Sequence, residues 1–553
     1  MFMSWRHGIT VAWSEIERDM QHLLTEPLDL SWFRRWSDTT ERFSDLVIEA
    51  MWAFRQDVTE EASKERYAYL QQELRPKMNA IDRALTSRSV SYKTNDLILA
   101  RVIRGHKLEL KASSIQSEDL EALERNLIQT CEQLESELSI DVGEPVSLWE
   151  AVDRLHDETD PVKKKHVWFK LQEAYFGISE QIDETMMKLV ALRQAIAQSC
   201  SYPNYLEYLW AKNLRSFEVA HVKQIVDHVE RAFQPLNKRK ALYERNGMPV
   251  SEVHPWMKRD LEAPTTSRRF HEQDYLNVLI QSYEHLNPDY GNRVREMAKR
   301  GHLDLHARAN KSNRNFATIL LVPNAPLVFC NATGSIRDLR VVFHEVGHGI
   351  HYQLGGSNGY GLFPERVPGQ EVMEFVAYSL QAFAIISLED TRLLKPDELL
   401  SLKRSTGTLL LDVLGDAVGL ERLQYWLYSQ IPESIQAASE IDKKWLELLG
   451  KDEFNWSGVE HFRAKSWQNA HFVGRPLNNV TYIIAYISML LLVGRFRKDR
   501  MGTLQTLDDL MRSGSSVDIS EALKSFGIEF PFTLKDCEEA REVLEKEYIQ
   551  GYF

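Results

Sequence analysis

Five consecutive residues constrain this chain more than any property of the whole. They are His344-Glu345-Val346-Gly347-His348, an HExxH pattern inside the stretch from Arg337 to Tyr352. On an α-helix, side chains four apart stand one turn above each other on one face. Two imidazoles so placed can share one metal ion, and Zn²⁺ suits that pairing. Glu345, one position on, then leans over the same ion, where a carboxylate can hold and deprotonate a water. The flanks read as helix. Ser335-Ile336-Arg337-Asp338 fits the S/T-x-x-D/E start signal. Leu339, Val342, Phe343, Val346 and Ile350 make an apolar stripe at helical spacing, so the two histidines border a core.

A catalytic zinc takes three protein ligands and keeps one position open for water. The third ligand has to come from further along. Gly355 to Gly359 reads as a loop, and after Gly369 the sequence reads as a helix through Tyr378. Glu371 and Glu374 are three apart on one face of that helix, and periodicity does not choose between them. His351 lies on the same stripe as His344, but three ligands from one helix would crowd the ion, which favours a packing role for it.

The rest of the chain is the setting for this helix. It has 553 residues, 43% hydrophobic and 27% charged, ample for a large core and for two or more domains. A formal net charge of −13 and a pI near 5.8 argue against nucleic acid as a partner, which needs a basic surface. The four cysteines, Cys131, Cys200, Cys330 and Cys537, are scattered without CxxC spacing and read as reduced thiols. The N-terminus lacks the apolar segment of a signal peptide. The longest apolar run, Ile483 to Val493, is too short to span a bilayer and reads as a buried helix. The expectation is a soluble cytoplasmic protein with no membrane partner and an open oligomeric state.

In chain order, the first 200 residues read as helix after helix. Phe43, Leu46, Val47, Ala50, Met51 and Phe54 repeat every 3.6 residues, and Pro76 is expected to end or kink a later helix. Leu120 to Leu138 carries another stripe. Asp160-Pro161 starts a helix with Asp as N-cap and Pro in its first turn, broken near Gly177 and running to Cys200. Lys163-Lys164-Lys165 reads as a solvated face. Ser201-Tyr202-Pro203-Asn204 is a break, and Val219 to Ala241 a further helix ending in the basic Lys238-Arg239-Lys240. Phe316 to Val322 and Pro326 to Cys330 read as a hairpin just before the HExxH helix. Its edge could pair with a peptide backbone, or the hairpin could simply be buried.

Together these residues resemble the thimet oligopeptidase / oligoendopeptidase F family of zinc metallopeptidases. FHEVGHGIH is similar to that family's F-H-E-x-G-H-x-x-H core. Met373-Glu374-Phe375 is similar to its M-E-F segment, whose Glu is the third zinc ligand, which points to Glu374. Pro326 to Asn331 with Thr333-Gly334 resembles the family's P-F-I-L-N-x-x-G-T strand, Leu303 to Lys311 the block before it, and Ser201 to Tyr205 its G-F-x-N-Y turn. Trp467 to Phe472 resembles its W-x-x-x-H-x-F/L block, where the His and later tyrosines stabilise the oxyanion. One departure follows: the family's P-F-Y-Y-x-x-Y is here Pro476-Leu477-Asn478-Asn479-Val480-Thr481-Tyr482. Asn478 and Asn479 replace a Tyr pair and either alter the activity or simply start a helix.

The resemblance implies a mainly α, two-lobed helical metallopeptidase with a small β-sheet beside the HExxH helix and a deep central channel. Residues 1–200 would be an N-terminal helical domain forming one channel wall, and 201–553 the catalytic domain. His344, His348 and Glu374 would bind one Zn²⁺. Glu345 would be the base, with His471 and Tyr482 as oxyanion donors. The function so implied is a zinc endopeptidase of short unfolded oligopeptides. The alternatives are a peptidase dedicated to one peptide and, in a different class, a peptide-binding protein with an impaired metal site.

Overall fold

Apolar stripes at helical spacing recur along the chain, and its computed structural model is 74% helical. The structure describes residues 3–233, 249, 252–257, 268–308, 310–312, 314–355, 362, 368–429, 435–449 and 454–549. The chain forms two compact units, each assembled from separated stretches. The first holds Met1–Leu110, Thr266–Leu402 and Ser488–Phe530, and the second Lys111–Thr265, Lys403–Ile487 and Pro531–Phe553.

In the first unit, the helix Leu30–Gln56 begins on Asp29, whose carboxylate accepts from the Trp32 amide, and buries Trp32, Phe33, Trp36, Phe43, Val47 and Ala50. These join Trp13, Met20, Leu85 and Ile103 in one apolar cluster. Pro76 does not end its helix. The chain runs from Glu61–Tyr69 through a π-turn, Leu70–Leu74, into Arg75–Ser89 with Pro76 in the first turn. The widened turn accommodates a ring that cannot donate an i→i−4 hydrogen bond.

The expected hairpin is present but belongs to a larger sheet. After a short hairpin β1 (Ser139–Asp141) and β2 (Pro145–Ser147) in the second unit, the first unit carries β3 (Leu303–His306), β4 (Phe316–Leu320) and β5 (Ala325–Ala332). The order is β3-β5-β4. β4 pairs antiparallel with β5, Ala317 opposite Val328, and β3 pairs parallel with β5, Leu303 opposite Val328. β5 is thus central and buried at all but Asn331. β4 is an edge strand of intermediate exposure, and beyond its end Asp45 accepts from the Leu321 and Val322 amides at 2.6 and 3.0 Å. The carboxylate thus caps the turn that ends the strand and leaves the strand's own length uncovered by it.

The second unit begins its long helices as expected. Asp160 accepts from the Val162 and Lys163 amides, Pro161 opens the helix Pro161–Gly177, and a break at Ile178 leads into Ser179–Ser199. Ser201 takes a left-handed φ of 61° in the turn that follows, and Asn204 caps Tyr205–Lys212. Lys163 and Lys165 are exposed but Lys164 is buried, a correction to the solvated face. Lys165 lies 4.8 Å from the Trp256 ring centroid, so its stem and charge rest on an aromatic. The helix from Val219 is described to Phe233. Its expected end at Lys238-Arg239-Lys240 lies outside the described residues, as does the loop 356–361. Among the described residues two helices, Gln370–Thr391 and Asn479–Lys498, are long and apolar enough to cross a membrane, but their most apolar windows are 89% and 83% buried. A helix hydrophobic on all sides and enclosed by protein is a core helix, and the run Ile483 to Val493 lies in the second of these.

Candidate metal centre

The HExxH helix runs Asp338–Gly355 and is anchored at its start by its own first residue. Asp338 Oδ2 accepts from the amides of Thr333, Gly334 and Ser335 at 2.7, 3.1 and 2.9 Å, and from the Tyr275 hydroxyl at 3.0 Å. The expected start signal is half realised. Asp338 reaches back to Ser335, but the Ser335 hydroxyl accepts from the Arg337 amide instead of closing the box. The Tyr283 hydroxyl donates to the Phe343 carbonyl at 2.7 Å, one residue before His344. These contacts fix the rotation of the helix about its axis, and hence where its histidines point.

The helix carries a glycine on each of two packed faces. A Cβ on Gly349 would meet Met297 Sδ at 3.2 Å and Val328 Cγ2 at 3.3 Å, so this face lies close on β5. A Cβ on Gly347 would meet the Ala377 carbonyl oxygen at 3.3 Å and Leu380 Cβ at 3.4 Å. Ala377 and Leu380 belong to Gln370–Thr391, the helix that carries Glu374. A glycine lets two helices approach where any side chain would hold them apart.

That approach brings three donors together. His344 Nε2 and His348 Nε2 are 3.1 Å apart, and Glu374 Oε2 lies 3.4 Å from the first and 3.8 Å from the second. Among the described residues, this is the one group of three His, Cys, Asp or Glu side chains whose donor atoms all converge within 4.8 Å. Glu371, on the same helix, and His351 are not in it. His351 is 1% exposed, and neither ring nitrogen has a protein hydrogen-bond partner. Burial pushes its pKa down to about 3.

The donors suit a divalent cation. Ligands about 2.0–2.2 Å from a tetrahedral Zn²⁺ stand roughly 3.3–3.5 Å from each other, close to the spacing here. Two imidazole nitrogens 3.1 Å apart cannot both carry protons without repulsion, and a metal ligand must be deprotonated. Burial, then the neighbouring His344, hold His348 down at a pKa of about 4, so it is neutral at pH 7. Burial also disfavours the His344 cation, but the hydrogen bond and charge of Glu374 outweigh it and raise that pKa. A cation bound among them would take the place of a proton on His344.

A family model described as Peptidase family M3 matches residues 155–542 of the chain, well over half of it. The chain belongs to Peptidase family M3. Peptidases of this family are generally zinc-dependent. Solved structures share the fold of this M3 peptidase. One assigned to oligoendopeptidase F is 18% identical with a TM-score of 0.85, covering 98% of this chain and 96% of that one. PZ peptidase A, solved with an inhibitor, is 18% identical with a TM-score of 0.84 over 98% and 96%. A structure from Bacillus anthracis str. Ames, also assigned to oligoendopeptidase F, is 18% identical with a TM-score of 0.81 over 96% and 95%. At such identities the likeness is one of fold. No curated protein matches this M3 peptidase by sequence.

Several neighbours of the centre did not come out of the sequence reading. Tyr378 lays its ring on His344, centroids 4.1 Å apart, and is four residues after Glu374. Tyr352 is four after His348, with ring centroids 6.5 Å apart. Its phenol is raised by burial and by the Glu345 and Glu374 charges. Both tyrosines stand one helical turn from a ligand candidate, a spacing that could have flagged them. Glu345 is buried, and its charge, after burial itself, helps push the Cys330 thiol on β5 upward.

The remaining expected site residues lie in the second unit. Residue 471 is in the short helix Ala470–Gly474, and its side chain is outside the described ones. Tyr482 is half-buried in the first turn of Asn479–Lys498. Asn478 and Asn479 are both buried, and Asn479 opens that helix. Neither amide caps it as a lone Asn would; Glu421 Oε2 accepts from the Val480 amide at 3.1 Å.

Proposed function

We propose that this M3 peptidase is a zinc-dependent endopeptidase of short, unfolded oligopeptides. The convergence of His344, His348 and Glu374 beside Glu345 carries the reading. A Zn²⁺ ion held by these three donors supplies Lewis acidity, acidifying water and polarising a peptide carbonyl. The protein's own part is to place groups and move a proton. Glu345 orients the attacking water and takes its proton as the water oxygen bonds to the carbonyl carbon. When the C–N bond breaks, Glu345 gives that proton to the leaving amine. Tyr482 and His471 donate to the developing oxyanion, a role that rests on the family resemblance. The outer edge of β4 along Phe316–Leu320, short of the Asp45 contacts, is where an extended peptide would pair.

The test is Glu345→Gln against a mixed peptide library, read by mass spectrometry beside metal analysis. The variant is expected to hold zinc as the parent does and to lose cleavage by at least roughly 10²–10⁴-fold, the usual worth of a placed base. Cleavage at the parent rate would overturn the mechanism. Parent protein that retains library peptides uncut, with zinc bound, would favour the peptide-binding alternative that Asn478 and Asn479 raise.

A further inference from the structure

Between the family's oxyanion block and Tyr482 the second unit turns from the helix Ala470–Gly474 into Asn479–Lys498, and of residues 472–480 all but the exposed Arg475 and the half-buried Gly474 and Pro476 are buried. Phe472, Leu477 and Val480 are fully buried. Leu477 has a φ of 56°, in the left-handed region that a γ-branched residue rarely enters. Such a conformation persists only where the surroundings hold it.

What holds it is visible. The helix Pro396–Ser429 presents Glu421 and Gln424, three residues apart on one face, 1% and 0% exposed. Gln424 Nε2 donates to the Phe472 carbonyl at 3.2 Å. Its Oε1 accepts from the strained Leu477 amide at 2.7 Å and from Asn479 Nδ2 at 3.4 Å. Glu421 Oε2 accepts from the Val480 amide at 3.1 Å, at the head of the helix that carries Tyr482. On the far side Arg193, also 0% exposed, donates from Nη2 to the Val473 carbonyl at 2.6 Å, and its Nε pairs with Glu124 at 2.7 Å. Backbone groups of four residues within nine positions are thereby fixed by side chains from other helices. Turns of this length usually satisfy such groups locally or with water.

We propose that Gln424 and Glu421 are positioning residues for the peptidase reaction, clamping turn 472–480 so that Tyr482 and residue 471 are held in register. This rests on the reading that those two residues serve the oxyanion. The clamp also accounts for Asn479, whose amide serves Gln424 where the family pattern has Tyr. A clamp that sets the place of oxyanion donors acts on the transition state and not on substrate binding. Its removal therefore lowers kcat and leaves KM nearly alone.

The test uses the full-length, zinc-loaded protein with a peptide it cleaves. Gln424→Met and Glu421→Met keep side-chain length but remove the hydrogen bonds. Each is expected to lower kcat by about 10²-fold with KM within threefold, an effect typical of reacting groups displaced by about 1 Å. Glu421→Gln keeps an acceptor for the Val480 amide and is expected to retain kcat within threefold. Parent-like kcat in both Met variants, per folded zinc-loaded molecule, overturns the proposal, as does a Glu421→Gln variant as damaged as Glu421→Met. If the Met variants do not fold, amide hydrogen exchange of the parent decides. Leu477 and Val480 are expected to exchange slowly, and exchange at the rate of open-loop amides overturns the clamp. A parent protein that cleaves no peptide sinks the peptidase reading separately, and the exchange result still decides whether the clamp exists.

Discussion

Glu374 does two things at once at the centre. Its carboxylate faces two imidazole nitrogens at 3.4 and 3.8 Å, and it raises the pKa of His344 against the pull of burial. Removing the charge while keeping the shape should therefore cost metal affinity directly. Glu374→Gln is expected to weaken zinc binding by more than the roughly 10–100-fold that loss of a mere supporting partner costs. Glu371→Gln, on the same helix but outside the donor cluster, is expected to leave it within threefold. Competition with a chelator of known affinity at pH 7 measures both, and equal losses in the two variants would contradict the assignment. The histidine pair was legible because a helix repeats every turn. The acid was not legible from periodicity, because Glu371 and Glu374 share one face of a helix buried on nearly every side. The two tyrosines beside the donor cluster went unread for a similar reason, since an aromatic at helical spacing looks like core.

At the scale of elements, the centre exists because two helices come unusually close at Gly347. Glycine costs about 1 kcal/mol in a helix interior relative to alanine, so two of them in the Asp338–Gly355 helix are intelligible only as points of close approach. Gly347→Ala should then separate two effects. The alanine gains helix propensity, which offsets the strain of a Cβ 3.3 Å from the Ala377 carbonyl oxygen, so the melting temperature of the metal-free protein is expected to stay nearly unchanged. To relieve that contact the Glu374 helix has to move by a few tenths of an ångström, and zinc affinity is expected to fall several-fold. Unchanged zinc affinity would show that the centre tolerates the shift. Helix starts were the best-read elements, as at Asp160-Pro161, because a cap is a local signal. β3 was the worst: four residues whose partner strand lies about 25 positions on carry too short an alternation to stand out.

For the whole molecule, unit boundaries were hidden for a physical reason. The chain passes between units at five points, and three of them, near residues 110, 402 and 487, lie inside a helix, Leu97–Lys111, Pro396–Ser429 or Asn479–Lys498; the crossing near 530 falls in the short stretch before Leu534–Tyr548, and the one near 265 lies outside the described residues. No Gly- or Pro-rich linker marks those three. The units also carry buried titrating groups of opposite sense. In the first, burial holds His106, whose Nδ1 lies 2.8 Å from the Ser89 hydroxyl, at a pKa of about 4. The unfolded chain, with its His near 6.5, binds more protons between those values, so that unit loses stability as pH falls from 6.5 to 4. In the second, burial raises Glu421 to about 7 against the charge of Arg215 and the Val480 amide. Here the folded form binds more protons between 4.5 and 7, so stability is lost as pH rises through that window. Each shift corresponds to about 3 kcal/mol at most. Melting curves from pH 4 to 8 are expected to show His106→Gln flattening the acid limb alone. Glu421→Gln, which keeps the acceptor for Val480 and carries no charge to bury, is expected to melt higher than the parent at pH 8 and level with it at pH 4.5. Curves for the two variants that run parallel to the parent throughout would mean that neither group carries the pH dependence.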